Sequence, residues 1–224
     1  MPGLFVTFEG GEGSGKTTQL KALLTHLRSL HADAVQTRDP GGTTIGNQVR
    51  ELLLNAENVQ MSALTELLLY EASRAQLVQE VIRPALTGRR IVLCDRFTDS
   101  TVAYQGYGRG LDLDLIERLN NVASDGLRPD LTFLLDLDPE AGLARARERR
   151  AQPRQRRDRL EDEVLDFHQR VRAGYRALAA REPARIVVLD ATLGMLEIEA
   201  RIRRHVEGRL AADELRPALE PRVG

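Results

Sequence analysis

The segment of the sequence most indicative of chemistry is GGEGSGKTT, residues 10–18, which follows the apolar run LFVTF with only Glu9 between them. Its spacing, Gly-x-x-x-x-Gly-Lys-Thr, is typical of a phosphate-binding loop between a strand and a helix. Glycines allow backbone N–H groups to surround phosphate oxygens. Lys16 adds a mobile positive charge for the β- and γ-phosphates, and Thr17 adds a hydroxyl for Mg²⁺. The segment therefore predicts a nucleotide-binding site with a metal ion.

A glycine-rich turn that happens to precede a lysine is the alternative interpretation of this segment. Lysine is rare in the chain, because only Lys16 and Lys21 among its 32 basic residues are lysine and all others are arginine. A lysine at the one position where a phosphate loop requires it favours the phosphate-binding interpretation.

A second segment that could contribute to chemistry is IVLCDRFTDSTVAYQGYGRG, residues 91–110. Asp95 ends an apolar run, at the edge of an α/β sheet where ligands collect, and could hold water on Mg²⁺. Arg96 offers two-point binding of a phosphate, although a surface ion pair would also explain the two residues. Four polar side chains follow that could share one helical face, either to bind a ligand or simply to meet solvent: Ser100, Thr101, Tyr104 and Gln105.

The elements that must position these residues are five short apolar runs separated by segments with helical spacing. The runs barely alternate between apolar and polar residues, which is typical of strands buried on both faces of a parallel sheet. Leucines three to four apart follow the glycine-rich loop, and Asp138, Pro139 and Glu140 form a helix start. The pattern predicts an open α/β sheet flanked by helices. The runs are residues 4–8, 34–37, 90–94, 131–137 and 185–190.

Composition limits the classes of protein to consider. The 224 residues are 42% hydrophobic and 29% charged, with a formal net charge of −1, so neither nucleic acid nor a membrane is expected as a partner. We expect one domain over residues 1–209 and a loosely attached tail over residues 210–224. The single cysteine, Cys94, the lack of a membrane-length apolar run and the lack of an export signal together predict a cytoplasmic protein.

A phosphate loop alone does not distinguish kinases from GTPases and motor ATPases. The Asn-Lys-x-Asp signature of GTPases is absent from the sequence. Asp39-Pro40-Gly41-Gly42 fits Asp-x-x-Gly, but a turn explains it equally well. The net charge gives little support to a motor or recombinase, which would need a basic surface.

Several separate motifs together resemble the thymidylate kinase family, over roughly residues 4–206. The resemblance implies a three-layer P-loop NTPase fold, with a five-stranded parallel sheet and helices on both faces, and usually a homodimer. It implies phosphorylation of dTMP to dTDP with ATP and Mg²⁺, in dTTP synthesis. A kinase for another small acceptor and a nucleotide-binding switch protein remain alternatives. The motifs are FEGGEGSGKTTQ, RDPGGTTIG, LLLYEASR, CDRFTDSTVAYQGYGRG, RPDLTFLLDLDPE and RRDRLE.

The phosphate-loop motif and the resemblance together define four overlapping sets of site residues. The ATP-binding set is Gly10, Gly11, Glu12, Gly13, Ser14, Gly15, Lys16, Thr17, Thr18 and Arg145. The dTMP-binding set is Glu12, Asp39, Arg50, Tyr70, Arg74, Arg96, Ser100, Thr101, Tyr104 and Gln105. The metal set is Glu9, Thr17 and Asp95, and the catalytic set is Lys16, Asp95, Arg96, Arg149 and Arg150.

The resemblance also implies how dTMP is bound. It implies that Tyr70 stacks on thymine, where the family usually has phenylalanine, and that Arg74 and Gln105 bind the polar groups of the ring. Without the resemblance, Tyr70 would be interpreted as a core aromatic. Asp39 stands where the family usually has glutamate. The remaining implied roles are the 3′-hydroxyl for Glu12, the 2′ position for Tyr104 and the phosphate for Arg50 and Arg96.

The segment RARERRAQPRQRRDRLE, residues 145–161, has eight arginines between 145 and 159. A solvated basic helix end and a contact with RNA are possible interpretations of such a tract. In the family it resembles the lid that closes over ATP. Members without an arginine in the phosphate loop take their catalytic arginine from the lid, which makes Arg149 and Arg150 the first candidates here and leaves Arg145 to pack beside adenine.

Overall fold

The computed structural model describes residues 3–150 and 159–219, and in these ranges the predicted sheet is confirmed. Its strands are β1 (Leu4–Glu9), β2 (Ala34–Arg38), β3 (Ile91–Asp95), β4 (Leu131–Asp136) and β5 (Ile186–Asp190). All pairs are parallel, in the order β2-β3-β1-β4-β5. Each observed strand begins and ends within one residue of a predicted apolar run, because these runs have few other ways to bury their side chains.

Helices connect the strands. They are α1 (Lys16–Ser29), α2 (Thr44–Leu54), α3 (Ala63–Leu77), α4 (Arg83–Thr87), α5 (Thr98–Thr101), α6 (Leu113–Ser124), α7 (Pro139–Arg150), α8 (Leu165–Arg181) and α9 (Met195–Leu219). A π-helical segment, Val78–Ile82, joins α3 to α4, and a second, Val102–Gly108, continues α5. Asp138 caps α7 as predicted, because its Oδ1 accepts a hydrogen bond of 3.0 Å from the Glu140 N–H.

Both faces of the sheet are covered by helices, which gives three layers. One apolar cluster joins β1 and β4 to leucines of α1 and to Ile198, Ile202 and Val206 of α9. On the other face Phe5 and Val92 pack against Leu77 and the segment that follows it. A third cluster joins α8 to the second π-helical segment.

The edge strands differ from the sequence-based expectation. The central strands β1, β3 and β4 are almost fully buried, as predicted for strands covered on both faces. The edge strands β2 and β5 contain partly and fully exposed residues besides buried ones, so the prediction of burial on both faces was wrong for them. An edge strand has a neighbour on one side only, and its helical cover is incomplete there.

The C-terminal part of the chain continues α9 across the predicted boundary at residue 209. Its backbone is helical to Leu219, and Leu210 packs at the margin of the core. Residues 220–224 lie outside the described ranges. No helix within residues 3–150 and 159–219 combines the length and apolarity that crossing a membrane requires.

Candidate active site

The phosphate loop leaves β1 and leads into α1, as its motif predicts. Gly10, Gly13 and Gly15 have φ angles of 137°, 64° and 92°, in the left-handed region that side chains disfavour. A Cβ on Gly13 would also lie 2.2 Å from the carbonyl oxygen of Gly142, in α7. The glycines are therefore required by backbone conformation, and the loop packs directly on the helix whose C-terminal part begins the lid segment.

Lys16 turns its side chain back over this loop. Its Nζ donates hydrogen bonds to the carbonyl oxygens of Gly10 at 3.1 Å and Gly11 at 2.8 Å. Burial and the charge of Arg96 lower its pKa to about 8, against the opposing effect of Glu12 and other carboxylates. The ammonium group is therefore held above the loop, where phosphates can replace carbonyl oxygens as its partners.

Arg96, from the turn after β3, contacts the phosphate loop. Its Nη1 donates to the Gly10 carbonyl oxygen at 2.9 Å, and its Nη2 donates to Glu12 Oε1 at 2.9 Å. The same two nitrogens donate to the hydroxyls of Tyr175 and Tyr104, each at 3.0 Å. Arg96 has a φ of 69°, which directs the chain away from β3 at this point. The structure therefore brings the predicted acceptor-binding arginine against the predicted donor-binding loop.

Glu12 lies inside the phosphate loop and remains ionised. Its Oε1 accepts hydrogen bonds from Arg96 and from the Tyr104 hydroxyl at 2.7 Å. Burial alone would raise its pKa, but the charges of Arg96 and Lys16 and the bond from Tyr104 lower it to about 2. A carboxylate held in this way can accept a hydrogen bond from a sugar hydroxyl.

Glu9, at the end of β1, is fully buried and binds three donors. Its Oε1 accepts from the Phe97 N–H at 2.7 Å, and its Oε2 accepts from the hydroxyls of Ser100 at 2.6 Å and Tyr175 at 2.8 Å. Burial, and then Asp99, raise its pKa to about 7, although Arg96 opposes the shift. Glu9 thus fixes the position of the turn after β3, which carries Arg96.

Two of the three predicted metal-binding residues are in contact. The Thr17 hydroxyl donates to Asp95 Oδ2 at 2.5 Å, where β3 ends and α1 begins. Mg²⁺ needs only one or two protein oxygens when phosphates supply others, so Thr17 and Asp95 fit the ion. No group of three or more His, Cys, Asp or Glu side chains in the described ranges could hold a metal. The carboxylate oxygens of Glu9 are bound to protein donors, and its role at the metal stays a prediction.

The predicted acceptor side of the site is built around Arg74, which is 1% exposed. Its Nε donates to Asp39 Oδ2 at 2.6 Å, and its Nη1 donates to both carboxylate oxygens of Glu71 at 2.9 Å. Further acceptors are Asn120 Oδ1 at 2.5 Å and Thr101 Oγ1 at 2.6 Å. All of these acceptors belong to the protein. Contact between Arg74 and a base stays a prediction, and it would require Arg74 to release one of these acceptors.

Other predicted dTMP-binding residues lie around this centre. Arg50 donates to the Pro40 carbonyl oxygen at 3.0 Å, and its charge acts on Asp39. Tyr70 is 8% exposed and belongs to the same apolar cluster as Tyr104. Gln105 Nε2 donates to Glu66 Oε1 at 2.8 Å.

The lid segment is described only at its two ends. Arg145 donates through Nη1 to the Ala191 carbonyl oxygen at 3.2 Å, beside the phosphate loop. The side chains of Arg149 and Arg150 and all of residues 151–158 lie outside the described parts of the chain, so the predicted catalytic arginines stay predictions. Arg159 is bound through its N–H and Nε to the carbonyl oxygens of Leu54 and Leu53, each at 3.2 Å.

Several residues that complete the site had no recognisable signal in the sequence. Tyr175 lies within RVRAGYRAL, which has the pattern of an ordinary amphipathic helix. In the structure α8 packs mainly on the second π-helical segment, and the Tyr175 hydroxyl donates to Glu9. From the sequence alone, Glu66 and Glu71 on α3 and Asn120 on α6 would be interpreted as surface residues. The spacing of four residues from Glu66 to Tyr70 and from Tyr70 to Arg74 indicates that the three share one face of α3, and this was the only signal available for Glu66.

Comparisons with known proteins agree with this geometry. The family model for thymidylate kinase matches residues 8–202. A thymidylate kinase of Geotalea uraniireducens (strain Rf4) is 52% identical over 210 residues, which are 93% of this chain and 99% of the relative. One from Synechococcus sp. (strain JA-2-3B'a(2-13)) is 54% identical, over 92% of this chain and 96% of the relative.

A solved structure extends this likeness to three dimensions. The crystal structure of thymidylate kinase from Ehrlichia chaffeensis has a TM-score of 0.74 and 35% sequence identity to this chain, and the alignment covers 92% of this chain and 99% of that chain. The resemblance inferred from the motifs is therefore confirmed, together with the fold that it implied. The chain belongs to the thymidylate kinase family.

Proposed function

We propose that the side chains around the phosphate loop carry out the ATP-dependent phosphorylation of dTMP to dTDP, the reaction of the family to which this chain belongs. Family membership makes this reaction, a step in dTTP synthesis, the activity of the protein. It disfavours both alternatives, a kinase for another small acceptor and a switch protein without transfer activity.

The observation that carries the proposal is the contact of Arg96 with both Gly10 and Glu12. Gly10 opens the loop that cradles the donor phosphates, and Arg96 is the arginine predicted to hold the acceptor phosphate. A guanidinium group in contact with the loop can bind the acceptor beside the donor. Bringing the two phosphates together in one cationic cleft is the main requirement of phosphoryl transfer.

In the proposed mechanism the residues align groups and neutralise charge. The loop amides and Lys16 hold the donor phosphates, and Arg50 and Arg96 hold the acceptor phosphate in line with them. The phosphate of dTMP is already largely ionised at neutral pH, so no side chain needs to remove a proton. Thr17 and Asp95 would hold Mg²⁺, which would supply positive charge to the donor phosphates.

We assign two further tasks to less central residues. Glu12 accepts a hydrogen bond from the sugar 3′-hydroxyl, and Tyr104, bound to Glu12, leaves little room for a 2′-hydroxyl. An arginine of the lid segment supplies the remaining positive charge at the transferring group, with Arg149 and Arg150 as first candidates. Closure of the lid excludes water, which would otherwise hydrolyse ATP.

We also propose a homodimer, because apolar side chains on the outer faces of α2, α3 and α6 are exposed. Helices α2 and α3 pack on each other, as do α3 and α6, so these side chains belong to neighbouring elements. They are Ile45, Leu52, Leu64, Leu68 and Leu113. Light scattering on the purified protein tests this assembly. A cytoplasmic location fits the single, buried Cys94.

A coupled assay with ATP, Mg²⁺ and a panel of monophosphates tests the function. We expect dTMP to be turned over well above UMP, CMP and AMP. Since one methyl group contributes only about 1–3 kcal/mol, dUMP should be a poor but real substrate. Preferential turnover of another acceptor would instead support a different small-molecule kinase, and ATP binding without transfer would support a switch protein.

A further inference from the structure

Glu66, on α3, is a buried carboxylate with an unusual number of donors around it. It is 1% exposed. Its Oε1 accepts from Gln105 Nε2 at 2.8 Å and from Arg109 Nε at 3.1 Å. Its Oε2 accepts from Arg109 Nη2 at 3.0 Å and from Arg159 Nη2 at 2.5 Å. The proposed mechanism gives this group no part, although one of its donors is the residue predicted to read the base.

We propose that Glu66 is a positioning residue that fixes the orientation of the Gln105 amide and thereby sets the preference for thymine over cytosine. The inference rests on the proposed function, since it assumes that Gln105 faces the base of the acceptor nucleotide. It adds a residue that determines specificity without contacting the substrate.

The chemistry of Glu66 fixes which end of the Gln105 amide points toward it. Burial would raise the pKa of Glu66, but its bonds to Arg109 and Gln105, with Arg159 contributing, lower it below the ordinary value. An ionised carboxylate has no proton to donate and can only accept. The Gln105 atom 2.8 Å away must therefore be the nitrogen, whichever way the amide would otherwise turn.

The opposite end of the Gln105 amide is then fixed as an acceptor. Gln105 Oε1 accepts no hydrogen bond from any residue in the described parts of the chain. Gln105 directly follows Tyr104, which binds Glu12 in the phosphate loop. Glu66 lies one helical turn before Tyr70, the residue predicted to stack on the base. The amide oxygen thus belongs to the region where the acceptor base is expected.

A fixed acceptor distinguishes the two pyrimidines. The ring nitrogen N3 of thymine carries a proton and can donate to Gln105 Oε1, whereas N3 of cytosine has a lone pair and would repel it. If the amide could turn, its nitrogen would donate to cytosine N3 and the discrimination would be lost. A buried acceptor that has no donor, or that faces another lone pair, raises the free energy of the complex. The site rejects the wrong base for this reason.

The test is the ratio of kcat/KM for dTMP to kcat/KM for dCMP in Glu66→Gln. A glutamine at 66 can either donate or accept, so it no longer dictates the orientation of Gln105. We expect the ratio to fall by about 10-fold or more. A ratio equal to that of the wild type in a folded Glu66→Gln protein would overturn the proposal.

Two matched variants separate orientation from packing. Arg109→Gln removes two of the bonds to Glu66 but leaves the carboxylate and its bonds to Gln105 and Arg159, so the ratio should stay as in the wild type. In a Gln105→Leu background, Glu66→Gln should cause no further change in the ratio, because it acts through Gln105. An equal fall in Arg109→Gln, or a further fall in the double variant, would contradict the proposal.

Folding and the underlying function are checked separately. If Glu66→Gln does not fold, Glu66→Asp keeps the negative charge but shortens the side chain by one methylene, which withdraws the carboxylate from Gln105, and an unchanged ratio in that variant would equally overturn the proposal. A wild-type protein that turns over dCMP as well as dTMP would contradict the proposed function itself, before any variant is measured.

Discussion

The proposed donor and acceptor sides of the candidate active site are built in different ways. The donor side is a run of consecutive residues, 10–17, whose backbone and one lysine make the phosphate cradle. The acceptor side collects side chains from α3, from the turns after β2 and β3 and from α6, and it pairs several buried charges. Arg74 alone binds two carboxylates, Asp39 and Glu71. A local motif is thus combined with a buried charge network that forms only when the chain folds.

The difference has a consequence for mutations. The cradle depends on positive φ angles and on one charge above the loop, so a change to that charge should affect activity more than stability. The pocket depends on buried groups that satisfy one another, and removing one partner leaves the other unpaired. Changes there should reduce stability together with activity.

The largest expected effect tests the donor side. Lys16→Ala should lower kcat by about 10³–10⁵-fold, by analogy with the loss of a charged group on a transferring phosphoryl group. The urea unfolding midpoint should change little, because the Lys16 side chain binds only carbonyl oxygens and one hydroxyl of its own loop. Lys21→Ala, at the exposed second lysine, is the control and should keep wild-type kcat. Near-normal activity in Lys16→Ala would remove the phosphate-loop assignment.

The next effect tests the acceptor side. Arg74→Met should lower the free energy of unfolding by about 3–5 kcal/mol, because it leaves Asp39 and Glu71 buried without their cation. Urea unfolding measures it. Arg201→Ala breaks an exposed pair with Glu197 on α9 and should cost less than about 1 kcal/mol. If Arg74→Met were as stable as Arg201→Ala, the buried charge network would not stabilise the pocket.

The third prediction concerns Glu9, at the end of β1 between the two sides. We expect the stability of the protein to depend on pH through this residue. Burial raises its pKa from 4.5 to about 7, so the fold favours the neutral acid. Its contribution to stability is therefore complete below pH 4.5 and is lost as the pH rises through 7. Between pH 5 and pH 8 the wild type should lose up to roughly 3 kcal/mol more unfolding free energy than Glu9→Gln. Parallel pH profiles from urea unfolding would contradict this assignment.

The smallest expected effect is a change at Tyr70 that should alter KM for dTMP but not KM for ATP. Tyr70→Leu removes the ring predicted to stack on thymine while keeping an apolar side chain in the cluster. Stacking on an aromatic ring contributes about 1–3 kcal/mol per base, so KM for dTMP should rise by roughly 5–150-fold. KM for ATP should stay constant in the same steady-state experiments. A parallel rise in both constants would mean that Tyr70 supports the whole site and not the acceptor alone.

The part of this molecule that could be predicted from the sequence is the part governed by short-range rules. The five strands followed from apolar runs, and the phosphate loop followed from glycine spacing. The partial exposure of β2 and β5 was missed, because an edge position depends on strand order. The resemblance named Asp39, Arg74 and Gln105. It did not indicate that Arg74 binds Asp39 and Asn120 or that Gln105 binds Glu66, because these pairs join elements up to 46 residues apart.

The sequence by itself determined the conformation of the loop where we propose that phosphates bind, because a loop of glycines with one lysine is favourable in only a few backbone conformations. It also determined the family, through motifs spread over most of the chain. Only the tertiary structure decided the raised pKa of Glu9 and the hydrogen-bond acceptors of Arg74 and Gln105. Burial and the distances between charges set these properties, and neither exists until remote segments pack together.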